Sequence, residues 1–323
     1  MKFRTEIEIL PYDRQLSYDD RLLALGSCFA TEIGRRMAEA KFRIAVNPSG
    51  VLFNPLSIVR TLRRYRDGRP VAKEELQHAD GRWFHYDFHG SLAGDTADEA
   101  LTRIDDAVAE GARALHEASA VLLTLGTAWV YERTDTGDVV ANCHRQPAER
   151  FRRRRLSVEE VVSAIESVLP DESSGKRILL TVSPVRHLGD GLAGNAVSKA
   201  VLRLAAEELS ERHAQVAYFP AYEILCDDLR DYRFYADDLV HPAPQAVAYV
   251  WEKFAPAVLT DEALRLLPEA EAIVAAAAHR PRNPQGEAHR AFCRRQLERI
   301  AALPEMDFQS ETAYFRRCLE INS

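Results

Sequence analysis

Short unbroken apolar runs alternate along the chain with longer segments in which apolar residues recur every three or four positions. The runs are RLLALG (Arg21–Gly26), RIAV (Arg43–Val46), AVLLTLG (Ala120–Gly126), RILLTVS (Arg177–Ser183) and QVAYFP (Gln215–Pro220). A stretch that is apolar at successive positions suits a strand buried on both faces, as in a parallel sheet. Before the third run, Leu101, Ile104 and Val108 share one helical face; before the fourth, Val161, Val162, Ile165, Val168 and Leu169 do the same. The latter helix has a start signal, because Ser157 stands three residues ahead of Glu160 and so forms a capping box. Further helices are predicted from about Asn195 to His213 and from about Pro242 to Val258, the proline suiting a first turn. Strands alternating with crossover helices predict a three-layer α/β sandwich around a central, mostly parallel five-stranded sheet.

Two segments depart from that alternation. AWVYERTDTGDVVA (Ala128–Ala141) reads as a hairpin inserted beside the sheet, turning at Asp135-Thr136-Gly137. Beyond Asp261 the sequence becomes rich in Ala and Arg and is broken by HRPRNPQGE (His279–Glu287), whose Pro and Gly mark a loop. The expected organisation is a main domain over residues 1–260 and a helical extension over 261–323 packed on it.

Composition narrows the function. The chain has 323 residues, of which 46% are hydrophobic and 28% charged, enough for a substantial core. A net charge of -7 gives no field that favours a phosphate backbone or an anionic membrane, so neither nucleic acid nor membrane is an expected partner. The five cysteines are scattered without C-x-x-C spacing, which shows no zinc framework or disulfide scaffold. The amino-terminal MKFRTEIEILPYDRQ lacks a secretory apolar region, and no window approaches the roughly 18 apolar residues of a membrane span. A cytoplasmic location is expected.

Candidate chemistry sits where the first run ends. GSCFA (Gly26–Ala30) brings Ser27 and Cys28 to the C-terminal edge of a parallel sheet, where α/β folds bind ligands. The helix that follows aims its free N–H groups and positive dipole end at the same place, favouring a developing oxyanion. Ser27 is either a nucleophile or only a helix cap. Cys28 is a rival nucleophile or, entering the helix, a small apolar residue facing the core. A base lies far along the chain in YADDLVHPAP, where Asp238 and His241 are three residues apart and the carboxylate can orient the imidazole. Asp237 competes as the orienting acid, and His241 has a plainer reading as a capping residue before Pro242.

Five motifs in order, GSCFA, LGTAWVY (Leu125–Tyr131), NCH (Asn142–His144), FPAYEIL (Phe219–Leu225) and DDLRDYRFYADDLVHP (Asp227–Pro242), resemble the GSCFA family over roughly residues 20 to 260. That family is similar to the SGNH/GDSL hydrolases. The resemblance implies Ser27 as nucleophile and Asp238 with His241 as the closing D-x-x-H block. It also implies an oxyanion hole built from the serine's own N–H, a glycine for which Gly50 is the candidate, and an asparagine of a G-x-N-D block. At that block this chain has Ala128 and Trp129, so Asn142 is the expected replacement, with Thr127 as the alternative.

The remaining polar motifs are assigned around that site. His144, Arg186 and His187 are expected to bind substrate, while Asn195 either joins them or caps its helix. WFHYDFHG (Trp83–Gly90) reads as a half-buried strand with His85, Asp87 and His89 on one side; no further ligand accompanies them, and no metal is assigned. The run RFRRRR (Arg150–Arg155) is either a phosphate contact or a solvated loop paired with acids. The expected function is therefore a cofactor-free serine esterase for an acylated carbohydrate or another small ester. Two alternatives stand beside it: an acyltransferase using the same acyl-enzyme, and a catalytically weak binding protein on the same fold.

Overall fold

Alternate side chains of a strand point to opposite faces of a sheet, and the first apolar run divides its residues accordingly. Leu23 and Leu25 enter one core, and Leu22 and Ala24 the other. The computed structural model describes residues 4–284 and 286–320. Its central sheet contains β1 (Arg21–Gly26), β2 (Arg43–Val46), β3 (Ala120–Leu125), β4 (Arg177–Val182) and β5 (Val216–Phe219), in the order β2-β1-β3-β4-β5. All four pairings are parallel, with Leu22 opposite Ala120 and Val121 opposite Ile178. This is a doubly wound order whose switch point lies between β1 and β3.

Helices cover both faces. On one lie α2 (Pro55–Asp67), α3 (Ala97–Glu117), α4 (Val158–Glu166) and α5 (Gly191–Arg212), packed through Ile58, Ile104, Ile165 and Leu202. On the other lie α1 (Cys28–Glu39), α6 (Pro244–Val258) and α7 (Asp261–Ala278), packed through Phe29, Trp251 and Ile273. Two more helices, α8 (Glu287–Ala301) and α9 (Gln309–Glu320), complete the extension on that second face, where Cys293 and Phe315 join the core. The expected domain limits at residues 1 and 323 lie outside the described residues. Among those described, no helix is long and apolar enough to cross a membrane.

The capping box forms as read: Ser157 Oγ accepts from the Glu160 N–H at 3.1 Å while Glu160 Oε2 accepts from the Ser157 N–H at 2.8 Å. The hairpin also forms, with Trp129–Arg133 pairing antiparallel to Val139–Val140. Three expectations change. The basic run is a strand, Phe151–Arg155, which joins the hairpin as a third member. It does pair with acids, since Glu132 receives both Arg152 and Arg154. WFHYDFHG is a strand only through Phe84, after which a turn closed by the Phe88 N–H to the His85 carbonyl folds it back. Finally, α5 begins at Gly191 and α6 at Pro244, so Asn195 lies inside its helix and Pro242 outside the other.

At the end of β1, Gly26 has a φ of +137°, and a Cβ there would sit 2.1 Å from the Thr124 carbonyl oxygen of β3. Only glycine takes that backbone conformation beside a neighbouring strand without strain. Gly26→Ala is therefore expected to cost about 2 kcal/mol or more. The check is a denaturant titration, in which the midpoint should fall at an unchanged slope.

Candidate functional site

Gly26 turns the chain out of β1, and hydrogen bonds on both sides hold the turn. Its N–H donates to Asn47 Oδ1 at 2.8 Å, its carbonyl accepts from the Leu52 N–H at 2.9 Å, and the Ser27 N–H donates to the Thr124 carbonyl at 3.1 Å. Asn47 is itself oriented by a 3.0 Å bond from its Nδ2 to Thr31 Oγ1. Ser27 is thus fixed at the switch point as the N-cap of α1, its Oγ accepting from the Phe29 N–H at 3.3 Å. Asn47 went unnoticed in the sequence; the only signal was its place before Pro48-Ser49-Gly50, directly after a strand.

The acid and base occupy a tight turn before α6. Asp238 Oδ1 accepts from the N–H groups of Val240 and His241 at 2.9 and 3.0 Å, and its Oδ2 lies 2.7 Å from His241 Nδ1. A carboxylate holding two backbone amides and an imidazole is stabilised in its charged form, and the Asp238 carboxyl is pulled down to about 2, chiefly by the His241 side chain. Nδ1 is occupied, which directs Nε2 to any reaction partner. Asp237, the competing acid, makes no such contact.

Across from this pair lies the first turn of α1. His241, Pro242 and Val185 line a groove together with Cys28, Phe29 and Glu32. Cys28 therefore faces that groove half-buried rather than pointing into the core, which corrects the expectation for it. Its thiol is raised above its ordinary value, mainly by burial, with Glu32 adding to the effect. A thiol raised in this way is a poor nucleophile. Ser27 is only 1% exposed, and its hydroxyl makes its hydrogen bond to the helix amide rather than to His241.

The expected oxyanion donors are distributed less simply. The Ser27 N–H is given to Thr124, and the Gly50 N–H to the Asn47 carbonyl at 2.7 Å. Gly50 has a φ of +81°, and its missing Cβ would lie 2.2 Å from His89 Cβ, so close packing explains the glycine. Thr127 is buried, its Oγ1 3.0 Å from Ser198 Oγ and accepting from the Trp129 N–H at 3.1 Å. Asn142 spends Oδ1 on the His144 N–H at 2.8 Å; with His144 and Gly90 it lines a second groove, which His241 does not reach. His144 clamps the turn after Phe84 through Nε2, 3.1 Å from the carbonyls of His85 and Phe88. Burial lowers its pKa to about 4, so it stays neutral there.

A family model described as "GSCFA family" matches residues 21–254, and one described as "GSCFA domain protein, C-terminal domain" matches residues 270–321. The chain belongs to the GSCFA family. No curated protein and no solved structure matches it significantly.

In this GSCFA protein the loop after β4 ties the site together. The Arg186 N–H donates to the Val240 carbonyl at 3.1 Å, and its guanidinium stacks 3.9 Å above the Tyr235 ring, so Arg186 braces the acid–base turn. His187 is held by its N–H, which donates to Asn195 Oδ1 at 3.0 Å, and by the edge of Phe53. Its Nε2 is buried without a hydrogen-bond partner, and burial, with Lys199 and His241 nearby, lowers its pKa to about 4.

Lys199 was missed in the sequence. Its Nζ is fully buried and donates to the Gly126 and Ser183 carbonyls at 2.6 and 2.7 Å, linking the ends of β3 and β4. The available signal was its place on the buried stripe of α5 with Asn195, Ser198 and Leu202. A neutral amine has two N–H donors, matching the two carbonyls. Desolvation lowers this amine to about 7 from 10.5. Between those values the unfolded chain holds a proton that the folded chain releases, so stability rises with pH, by at most about 1.4 kcal/mol per pH unit. Lys199→Met is expected to lack that rise, which urea titrations of both proteins across the same pH window would test.

Proposed function

We propose that this GSCFA protein is a serine-dependent acyl-ester hydrolase of the SGNH/GDSL type, acting in the cytoplasm on an acylated carbohydrate or another small ester. The observation that carries the reading is the Asp238–His241 pair, 2.7 Å apart, facing across a groove the helix turn that Ser27 caps. The SGNH resemblance likewise assigns the nucleophile to Ser27 and the acid–base pair to the D-x-x-H block. In unliganded hydrolases the bond between nucleophile and base is commonly loose and tightens with substrate, which accommodates a Ser27 Oγ that bonds to the Phe29 N–H.

The reaction follows from those groups. Ser27 Oγ attacks the acyl carbon while His241 Nε2 takes the hydroxyl proton, and Asp238 holds Nδ1 protonated and stabilises the imidazolium. Collapse of the tetrahedral intermediate breaks the ester bond, and the departing alkoxide takes the proton from His241. Water then attacks the acyl-enzyme as His241 takes its proton, and collapse releases the carboxylic acid while His241 returns that proton to Ser27 Oγ. A second alcohol in place of water gives the acyltransferase. The Ser27 and Gly50 amides are already committed, so the oxyanion needs a different donor. His187 Nε2, buried with its hydrogen-bonding capacity unspent, fits that need better than Asn142, which lines the other groove.

A non-catalytic binding role has one observation in its favour, the same commitment of both backbone donors. Losing an oxyanion donor costs on the order of 3 kcal/mol in barrier. A fluorophosphonate probe separates the readings. Wild type and Cys28→Ala should label, Ser27→Ala and His241→Ala should not, and the absence of labelling on folded wild type would sink the enzyme. With an ester substrate in hand, Asp238→Asn should lower kcat on the order of 10³- to 10⁴-fold with little change in KM. A loss below tenfold would remove Asp238 from the mechanism.

A further inference from the structure

The last two helices bury few side chains of their own: α8 buries Cys293 and Gln296, and α9 buries Glu311 and Phe315. Beyond these, Phe292, Leu297, Ile300, Tyr314 and Leu319 pack only partly buried against the second core, so a direct bond between the two helices would add to a modest apolar contact. At their junction stand three soft ligands. His289 and Cys293 are four residues apart on α8 and so share one face, and Cys318 comes from the last turns of α9. A ring nitrogen of His289 and the Sγ atoms of Cys293 and Cys318 all lie within 4.8 Å of one another.

We propose that His289, Cys293 and Cys318 bind one zinc ion that staples α8 to α9. The distances suit it. Tetrahedral zinc, with Zn–N near 2.0 Å and Zn–S near 2.3 Å, sets a nitrogen and a sulfur roughly 3.5 Å apart; Cys293 Sγ and His289 Nε2 are 3.5 Å apart. The donors are one imidazole and two thiols with no carboxylate among them, a set that favours zinc over calcium or magnesium. Charge agrees as well. Binding releases one proton from each thiol to solvent, and two thiolates with a neutral imidazole cancel the charge of the ion. A neutral complex suits a site whose Cys293 is fully buried and whose near neighbours include Phe292 and Phe315. Tyr314 places its hydroxyl beside the Cys318 thiol, where it can donate to the bound sulfur. The fourth position, on the half-exposed side of His289 and Cys318, is left to water.

The sequence hid this site because its ligands have H-x-x-x-C spacing on one helix and a distant cysteine on the next, rather than two C-x-x-C knuckles. The site is also separate from the groove at His241, so it stands or falls independently of the acyl chemistry. The test uses the full chain without an affinity tag of histidines, dialysed against zinc-free buffer. Metal analysis should find about one zinc per chain, retained in Ser27→Ala and lost in Cys293→Ser/Cys318→Ser. Cobalt added to the zinc-stripped chain should give the thiolate-to-metal charge-transfer band and the intense visible bands of a tetrahedral site. The cobalt titration needs no variant, so a misfolded double substitution leaves the test intact. Zinc content no higher than in the double variant, a wild-type cobalt spectrum without the charge-transfer band, or an intact mass showing Cys293 and Cys318 joined by a disulfide would each overturn the proposal.

Discussion

At the end of β1 the backbone passes between two neighbours, and Gly26 and Ser27 give both of their N–H groups to them, one to Asn47 and one to Thr124. A backbone donor buried at a sheet edge must find an acceptor, and meeting that demand on both sides fixes the turn to within a hydrogen bond's tolerance. The rest of the site is arranged around it. The helix that Ser27 caps supplies one wall of the groove, and the turn carrying Asp238 and His241 supplies the other. The cost falls on the proposed chemistry: an amide used to hold Ser27 is not free to receive an oxyanion, so under that reading positioning the serine and stabilising an intermediate would draw on the same few N–H groups.

The buried strands were legible because both of their faces are apolar; the five runs differ from the observed strands by at most a residue at either end. The capping box at Ser157 and the hairpin at Asp135–Gly137 were legible because each is a local contract between residues a few positions apart. Asp238 and His241 belong to that class, since a three-residue spacing is enough for a carboxylate to reach its own turn. The misreadings come from long-range packing. WFHYDFHG alternates as a strand should, yet His144, from a segment over fifty residues away, bonds to its carbonyls and bends it. Cys28 read as a core residue because helix position alone does not reveal that Val185 and Pro242 leave a groove open beside it. Lys199 and Asn47 were invisible as site residues because their partners are backbone carbonyls and amides, which carry no residue identity.

The polar interior differs in kind from the two apolar cores. Asn47, Lys199, Asn195 and Ser198 each bond to the backbone of a loop at the C-terminal ends of the strands. Loops there are irregular and cannot satisfy their own groups, and a side chain from a rigid helix or strand is a precise way to do it. The C-terminal edge of the sheet is thereby built from below by side chains whose hydrogen bonds go to the backbone.

The arginine strand has a consequence of another sort. Its charges are matched by acids drawn from separate elements: Glu132 on the hairpin takes Arg152 and Arg154, Glu160 in the first turn of α4 also takes Arg154, and Asp190 at the start of α5 takes Arg153. Val130, Val139 and Leu156 anchor the small sheet in the apolar core, while two of these pairs, Arg154–Glu160 and Arg153–Asp190, tie its partly hydrated edge to α4 and to the start of α5. Such forces weaken as mobile ions crowd the surface, whereas the leucine-rich interior is indifferent to them. Rising ionic strength therefore weakens the charged edge of the small sheet while its apolar face and the central layers keep their grip.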